Sequence, residues 1–344
     1  MRELSADQDS ISDDDVRADV SADQEALLEW YQSARRDLPW RKNRDPYRIW
    51  ISEVMLQQTT VAAVIPYFER FVARFPDARS LAQASIEDVY EMWAGLGYYS
   101  RARNLHKAAQ ALALKFPRTW QELSEIPGFG PYTSRAVSSQ AFDEKCGVVD
   151  GNVIRVLSRR FAIANDWWKP RERSELQQIA DRLAQVANPS DLNQALMELG
   201  ATVCTPRSPT CLICPWSNTC QARELGKITE FPKTQQRRNR EVWIWRPEVI
   251  TRAGRVLLIE NRYAPFLRGH LIPPGTVEKK KIKPKLFTFK GTVTHHDIFV
   301  IPRAGKLKTA KGAWVGLNEL KQKVPASLVR KAIQSIMESD FAHE

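Results

Sequence analysis

Two carboxylates and one run of thiols are the residues in this chain whose types and spacing suggest chemistry. Glu53 lies in residues 52–71, SEVMLQQTTVAAVIPYFERF, whose periodicity predicts one helix with Glu53 on its apolar face. No Lys or Arg falls on that face, so burial should raise the pKa of Glu53 and keep it protonated near neutral pH. The alternative is a carboxylate at the rim of the core, hydrogen-bonded to the backbone.

Asp150 is the second carboxylate, and it stands between the apolar pair Val148 and Val149 and a predicted helix. Taken alone it is an N-cap, whose backbone donors and helix dipole hold the carboxyl group ionised. We therefore expect Asp150 to stay anionic while Glu53 keeps a proton. A general acid beside an electrostatic stabiliser is what cleavage of a glycosidic bond requires.

Four thiols follow with the spacing Cys204-x6-Cys211-x2-Cys214-x5-Cys220. In a chain without an export signal, clustered thiols indicate a metal site more often than disulfides. Four thiolates suit zinc and a cubane iron–sulfur cluster equally, so the spacing alone leaves both open. Cys146 stands alone and is predicted to be a small buried hydrophobe.

The string IPGFGPYTSRAV, residues 126–137, places two glycines in a tight turn before a helix that begins near Pro131. A glycine hairpin that leads into a helix aims backbone N–H groups at one point, which favours an anion such as a DNA phosphate. An ordinary connection between two helices explains the string equally well.

The charge is unevenly distributed along the chain. The net charge is +11, but residues 1–25 hold nine acidic and two basic residues, which leaves +18 for the remaining 319. A body this basic suits a polyanion such as nucleic acid, or it is a solvated basic surface without a partner. Because the sequence has neither a long apolar run nor a secretory signal, we expect a cytoplasmic protein with no membrane contact.

Changes in composition divide the sequence into four segments. Residues 1–24 predict an acidic disordered tail, and 25–225 predict a domain of short helices separated by Pro or Gly. Residues 226–241 are polar and basic and predict a linker. Residues 242–344 predict a small α+β domain, because β-branched and aromatic runs precede a terminal amphipathic helix.

Taken together, these residues resemble the helix–hairpin–helix DNA glycosylase superfamily, and within it the MutY-type adenine glycosylases. The likeness runs from about Leu27 to Ala222 and includes the four-cysteine loop and four long strings: LPWRKNRDPYRIWISEVMLQQTTV, AGLGYYSRARNLHKAA, IPGFGPYTSRAV and VVDGNVIRVLSR. The resemblance implies an all-α helix–hairpin–helix glycosylase domain with a [4Fe–4S] cluster loop at 204–220. It also implies a small α+β C-terminal domain that is Nudix-like.

The resemblance also implies an activity, which is removal of adenine mispaired with 8-oxoguanine or guanine in double-stranded DNA. Glu53 would protonate adenine N7, Asp150 would stabilise the cationic sugar, and Tyr132 and Asn152 would lie nearby. Arg41 matches a family residue near the adenine pocket, and Gln58 and Tyr98 match wedge residues that insert into the duplex. Other residues match family positions at the DNA: Gln57, Gly128, Gly130, Thr133 and Arg207. The four cysteines would hold a structural cluster, and the protein would act as a monomer.

Two rival functions remain for comparison. Endonuclease III-type lyases resemble this chain but carry a lysine nucleophile two residues after the second hairpin glycine, where this sequence has Tyr132. That difference favours a monofunctional glycosylase. A non-catalytic DNA-binding protein would need neither Glu53 nor Asp150.

The sequence departs from the family pattern in several places. Arg135 stands where a glycine is usual, and KKKIKPK replaces an acidic helix in the C-terminal domain. A glutamate-rich Nudix box is missing, so nucleotide hydrolysis is not expected. Thr294 and His295 correspond to residues that read the lesion, although a plain histidine pair with His296 on a strand explains them equally well.

Overall fold

The chain divides into two units, residues 1–235 and 236–344. The computed structural model describes residues 13–186, 188–235, 240–306, 312–324 and 326–340. Within those residues the first unit contains helices, and the second combines strands with helices. No described helix combines the length and the apolar character that crossing a membrane would need.

The first unit is a succession of helices joined by short loops. Short 3-10 turns occur at Pro39–Arg41, Cys211–Ile213 and Ile228–Glu230. The α-helices are α1 (Asp13–Ala34), α2 (Pro46–Leu56), α3 (Val61–Arg74), α4 (Ala78–Gln83), α5 (Ile86–Trp93), α6 (Tyr99–Leu112), α7 (Trp120–Ser124), α8 (Pro131–Phe142), α9 (Gly151–Arg160), α10 (Pro170–Leu183), α11 (Pro189–Thr202) and α12 (Gln221–Glu224).

The prediction of one continuous helix over residues 52–71 is wrong. Asp45 caps α2 by accepting from the Tyr47 amide, and α2 ends at Leu56. Gln58 then takes a left-handed backbone with φ of 57°, and α3 begins only at Val61. Two successive β-branched threonines follow Gln58, and they weaken helix propensity at the break.

Two hydrophobic groups form the core of the helical unit. One lies around α2 to α8 and includes Trp50, Phe71 and Trp93. The other lies around α1 and α9 to α11 and includes Leu27 and Leu196. Glu53 is therefore presented by a helix of the first group, and Asp150 by the start of α9 in the second.

Two predicted segment boundaries need correction. Residues 1–12 of the predicted disordered tail lie outside the described residues, but 13–24 belong to α1, where buried Asp23 pairs with Arg160 at 2.6 Å. The first part of the predicted linker belongs to the helical unit, because the Arg159 side chain donates to the carbonyls of Ile228 and Phe231. Long-range partners account for both differences.

The second unit confirms the predicted α+β composition. Its helices are α13 (Leu320–Lys323) and α14 (Ser327–Asp340). Its strands are β1 (Glu241–Val249), β2 (Thr251–Arg252), β3 (Arg255–Glu260), β4 (Leu271–Ile272), β5 (Gly275–Lys280), β6 (Phe289–Val293), β7 (His296–Val300), β8 (Arg303–Ala304) and β9 (Ala313–Gly316).

Strand β1 organises one sheet of this unit, in the order β5-β1-β7-β6, and a smaller sheet forms around β3. The parallel pairing of β1 with β7 ends at Trp245, and pairing with β8 begins at Glu248. Pro247 falls in the gap between them, where this edge of the strand needs no ladder donor. The same parallel register places Glu241 opposite His296.

Candidate active site

A cavity of 690 Å³ in the helical unit brings the two predicted carboxylates together. Glu53, Tyr132, Asp150 and Asn152 line it, and so does Arg41. A volume of this size is in the range of small-molecule sites and accommodates a nucleoside. The predicted catalytic residues therefore line one pocket, although they come from α2, α8, α9 and the N-cap of α9.

Glu53 is buried, with only 5% of its surface exposed. Its Oε2 accepts from the Tyr132 hydroxyl at 2.6 Å, and its Oε1 accepts from the Gln140 amide at 3.0 Å. Burial raises the pKa of Glu53, while the two hydrogen bonds pull it the other way. Burial also raises the pKa of Tyr132 well above its usual range, so this hydroxyl stays a neutral donor.

Asp150 caps α9 as the sequence predicts. One carboxylate oxygen accepts from the amides of Asn152 at 2.8 Å and Val153 at 2.7 Å, and the other accepts from the Asn152 side chain at 2.8 Å. The expectation that the helix start holds the pKa of Asp150 low is wrong in direction. Burial outweighs these hydrogen bonds and the attraction of Arg155, so the pKa of Asp150 is raised.

A third carboxylate, Glu198 on α11, lines the same cavity, and the sequence interpretation missed it. It is buried, and it pairs with Arg36 at 2.5 Å and with Arg41 at 2.9 Å. Burial would raise the pKa of Glu198, but the hydrogen bonds and charges of the two arginines outweigh burial and lower it. The signal that drew attention to Glu53, a carboxylate in an apolar helix, was also present here.

Gln140 was missed as well, although helical spacing could have found it. It lies eight residues after Tyr132 on α8, close to two full turns, so both side chains point at Glu53. Arg41, predicted near the adenine pocket, does line the cavity, with its guanidinium held by Glu198.

The glycine hairpin has the predicted tight turn between α7 and α8. Gly128 has φ of 98°, and the Phe129 amide donates to the Ile126 carbonyl at 3.0 Å. A Cβ at Gly130 would meet nothing within 4 Å, so the entrance to α8 is open to a ligand. Thr133 is buried and its hydroxyl accepts from Gln57, which argues against the predicted contact of this side chain with DNA.

Gln58 and Tyr98, the predicted wedge residues, are both exposed. Each has a left-handed backbone, with φ of 57° and 48°, and 58% of the Tyr98 surface is accessible. Non-glycine residues rarely adopt this conformation, and they often mark functional loops when they do. The sequence gives the identity of these residues but not the backbone that presents them.

The four cysteines of the loop line a single cavity of 30 Å³. Among the described residues, no three of their sulfur atoms lie within 4.8 Å of one another. Burial raises the pKa of the Cys214 thiol to about 12. Buried Arg159 contacts this cavity, with its guanidinium 3.3 Å from the Cys204 sulfur.

A short chain of hydrogen bonds connects the cysteine loop with the cap of α9. The Arg155 guanidinium donates to the Cys204 carbonyl at 2.7 Å and to the Asn152 side-chain oxygen at 2.8 Å. Asn152 in turn donates to Asp150. The loop is thus coupled mechanically to the position of the carboxylate, while Arg207 on the same loop is exposed.

Comparison with known proteins adds an independent result. Residues 51–185 match the family described as HhH-GPD superfamily base excision DNA repair protein. The adenine DNA glycosylase of Rattus norvegicus is 46% identical over 231 residues, which cover 62% of this chain and 45% of that protein. The adenine DNA glycosylase of Buchnera aphidicola from Schizaphis graminum is 36% identical and covers 62% of each chain.

The fold comparison agrees. The structure of a thermostable thymine-DNA glycosylase has a TM-score of 0.55 and 28% identity, and it covers 60% of this chain and 98% of that one. Over residues 51–185 the helical unit matches the HhH-GPD superfamily model, and it is similar to adenine DNA glycosylases. The chain spans about half the length of the rat relative that it matches.

Within the helical unit, Arg135 is internal rather than a surface change. Its guanidinium lies over the Trp120 ring at 4.2 Å and pairs with Asp181 at 2.6 Å. The departure from the family glycine is therefore absorbed by a contact between α8 and α10, away from Glu53 and Asp150.

The predicted lesion-reading residues lie in the second unit, in the turn between β6 and β7. Thr294 has a left-handed φ of 53°, His295 is exposed, and His296 is buried beside it with ring centroids 3.9 Å apart. Glu241, His295 and His296 bring possible ligand atoms within 4.8 Å of one another. The Glu241 carboxylate is already engaged by Lys279 at 2.5 Å.

Proposed function

We propose that this protein is an adenine DNA glycosylase of base excision repair. It hydrolyses the N-glycosidic bond of adenine mispaired with 8-oxoguanine or guanine in duplex DNA. One observation supports this above all: Glu53 and Asp150 share a nucleoside-sized pocket, and only Asp150 has backbone donors fixed on its carboxylate. The adenine glycosylase names of its relatives support the choice of base.

Glu53 is the proposed general acid. Its raised pKa keeps a proton available, and Tyr132 and Gln140 fix the direction of its carboxyl group. Transfer of that proton to adenine N7 lets the base depart neutral, which lowers the barrier to cleavage. Glu198, by contrast, is held ionised by two arginines and has no proton to give.

Asp150 is the proposed stabiliser of the sugar. Its carboxylate accepts three hydrogen bonds, two of them from amides at the positive end of α9. These donors stabilise the anion in a fixed position, and a fixed anion lowers the free energy of an oxocarbenium-like sugar at C1′. Asn152 orients that carboxylate by donating to it from both its backbone amide and its side chain.

Access to the pocket requires that the adenosine leaves the base stack. Gln58 and Tyr98 are exposed on strained turns and are the proposed residues that enter the duplex. The hairpin of Gly128 and Gly130, which is open at Gly130, is the proposed grip on a DNA phosphate, with Arg207 as a second contact. The proposed active form is a monomer on double-stranded DNA.

Cys204, Cys211, Cys214 and Cys220 would hold a [4Fe–4S] cluster. A zinc tetrahedron with Zn–S bonds of about 2.3 Å brings its sulfurs within about 3.8 Å of one another. Among the described residues no three of these sulfurs lie within 4.8 Å of one another, and this wider arrangement suits thiolates that each bind a different iron. The cluster would supply structural support to the basic loop rather than redox chemistry.

The cluster assignment has a direct test. Anaerobically purified protein should be brown and contain iron and inorganic sulfide in equal amounts. Serine at any one of the four cysteines should reduce the iron content, while serine at buried Cys146, which lies apart from this cavity, should leave it unchanged. A colourless zinc protein with full activity contradicts the assignment.

The remaining parts of the proposal concern strand cleavage and the second unit. Tyr132 replaces the lysine of the lyases, so the enzyme is proposed to be monofunctional and to leave an intact abasic site. The second unit is proposed to be Nudix-like and to read 8-oxoguanine through Thr294 and His295. Borohydride trapping of a covalent protein–DNA complex would instead support a lyase.

The deciding experiment compares wild-type protein with Glu53→Gln on an adenine:8-oxoguanine duplex. Alkali should cleave the adenine strand after wild-type treatment, while Glu53→Gln should bind the duplex and leave the strand intact. Glu69→Gln, an exposed glutamate on neighbouring α3, is the matched control and should excise normally. Adenine release by Glu53→Gln at the wild-type rate would refute the acid assignment.

A further inference from the structure

Arg101, the third residue of α6, links two turns that are distant in the sequence. One guanidinium nitrogen, Nη1, donates to the carbonyls of Val54 at 2.8 Å, Met55 at 3.1 Å and Gln57 at 2.7 Å. The other, Nη2, donates to the Leu96 carbonyl at 3.3 Å. The side chain therefore donates to carbonyls at the C-terminal end of α2 and also to a carbonyl of the loop before α6.

The guanidinium also has ring partners. Its central carbon lies 5.4 Å from the centroid of the buried Trp93 ring and 5.4 Å from that of the exposed Tyr98 ring. Burial lowers the pKa of Arg101. Among the described residues no carboxylate lies in ion-pair range of it, so carbonyls and rings hold the charge.

Both turns that Arg101 joins carry a strained residue. Gln58 follows the Gln57 carbonyl directly, and Tyr98 supports the guanidinium with its ring; both have left-handed backbones. Strained conformations of non-glycine residues persist only where surrounding contacts determine them. The contacts of Arg101 are well placed to determine both.

We infer that Arg101 is a positioning residue that holds Gln58 and Tyr98 as one unit for entry into the duplex beside the extruded adenosine. This inference rests on the proposed function. Arg101 lies outside the set of residues that line the cavity of Glu53 and Asp150, so it acts through the two exposed side chains. It matters for extruding the base and not for cleaving the bond.

Arg101→Lys is the discriminating variant. Lysine keeps the charge, but a single ammonium cannot donate to four carbonyls in two turns or stack between two rings. Arg103→Lys is the matched control, because Arg103 lies two residues later on the same helix and is exposed. Melting temperatures are measured for all variants, and rates are measured well below the lowest of them.

Single-turnover adenine excision is measured on two substrates, a duplex with adenine opposite 8-oxoguanine and a DNA in which the adenine is already unpaired in a loop. Arg101→Lys should slow the duplex reaction by about ten- to a hundredfold, the size expected for misplaced groups, and largely spare the looped adenine. Its rate should keep the wild-type pH profile. Equal loss on both substrates, or no loss, overturns the inference.

A double-mutant cycle tests the route of the effect. In a Gln58→Ala and Tyr98→Ala background, Arg101→Lys should add little further loss, because its targets are gone. Additive losses overturn the inference. If Arg101→Lys does not fold, Gln58→Ala and Tyr98→Ala still decide, because each must slow the duplex and spare the loop. Wild-type protein that excises adenine from neither substrate refutes the proposed function itself.

Discussion

Glu53, the proposed proton donor, and Glu198 differ mainly in the partners of their carboxyl groups. Both are buried carboxylates on helices that line the same cavity. Glu198 is paired with Arg36 and Arg41 and its pKa is lowered, whereas Glu53 meets only a hydroxyl and an amide and its pKa is raised. The choice of partner, not burial, assigns the two roles.

The raised pKa values of Glu53 and Asp150 predict a bell-shaped pH profile for excision. The proposed mechanism needs Glu53 protonated and Asp150 ionised, so the rate should fall at high pH as Glu53 loses its proton. It should fall at low pH as Asp150 gains one. Single-turnover rates across the stable pH range measure both limbs, and a rate that keeps rising into the alkaline range contradicts the assignment of Glu53.

Glu53→Gln should stabilise the protein while it abolishes excision. The pKa of Glu53 in the folded state lies above its unfolded value of about 4.3. Below that pH the group does not lower the free energy of unfolding, but as the pH rises from there through the folded-state pKa, the free energy of unfolding falls. Removing the ionisable group should therefore raise the free energy of unfolding by about 0.5–2 kcal/mol at neutral pH, and by little in acid. Urea unfolding at several pH values measures this.

Glu198→Gln is the matched control for that prediction, and its effect should have the opposite sign. It removes the partner of two arginines and should destabilise the fold by about 3 kcal/mol at neutral pH. A loss of stability in Glu53→Gln that grows with pH would show that ionised Glu53 stabilises the fold, which contradicts a raised pKa.

At the scale of helices, short-range sequence features predicted the positions of most of the proposed active-site residues. The Asp150 cap, the tight turn at Gly128 and the apolar periodicity around Glu53 are short-range features, and each occurs where the sequence predicted it. The break after Leu56 was not predicted, because it is supported by hydrogen bonds that Arg101, some 45 residues away in the sequence, donates to the carbonyls there. Glu198 carried the same local signal as Glu53 and was overlooked, and the arginine partners that distinguish it are distant in the sequence.

Gly200 lies where α11 packs closely against α9, and this packing predicts the effect of adding a side chain there. A Cβ added at Gly200 would lie 2.6 Å from the Asn152 Cβ and 3.0 Å from its Cα, so backbone must move. Gly200→Ala should shift the start of α9, destabilise the fold by about 1–3 kcal/mol and slow excision by about tenfold or more through Asp150.

The measurements are thermal unfolding and single-turnover excision. Thr202→Ala, an exposed position on the same helix, should behave as wild type in both. Normal excision by Gly200→Ala would show that the position of Asp150 tolerates movement of α9.

At the scale of the whole molecule, the two units divide the proposed task. Every residue proposed for bond cleavage lies in the helical unit, whereas Thr294 and His295 lie in the second unit, which has a sheet and helix core of its own. The sequence predicted this composition but not the left-handed turn at Thr294, which depends on the pairing of β6 with β7. We therefore expect mutations in one unit to change the rate of bond cleavage, and mutations in the other to change the preference for the opposite base.

His295→Ala tests that separation. His295 is exposed at the turn between β6 and β7, so it is free to donate to or accept from a base edge. Loss of one such hydrogen bond should reduce the preference for adenine:8-oxoguanine over adenine:guanine by about tenfold. The single-turnover rate on adenine:guanine should stay at the wild-type value, since Glu53 and Asp150 are untouched. Thr251→Ala, also exposed in the second unit, is the control. An equal loss on both mispairs would indicate that His295 supports general DNA binding, and an unchanged preference would remove it from lesion recognition.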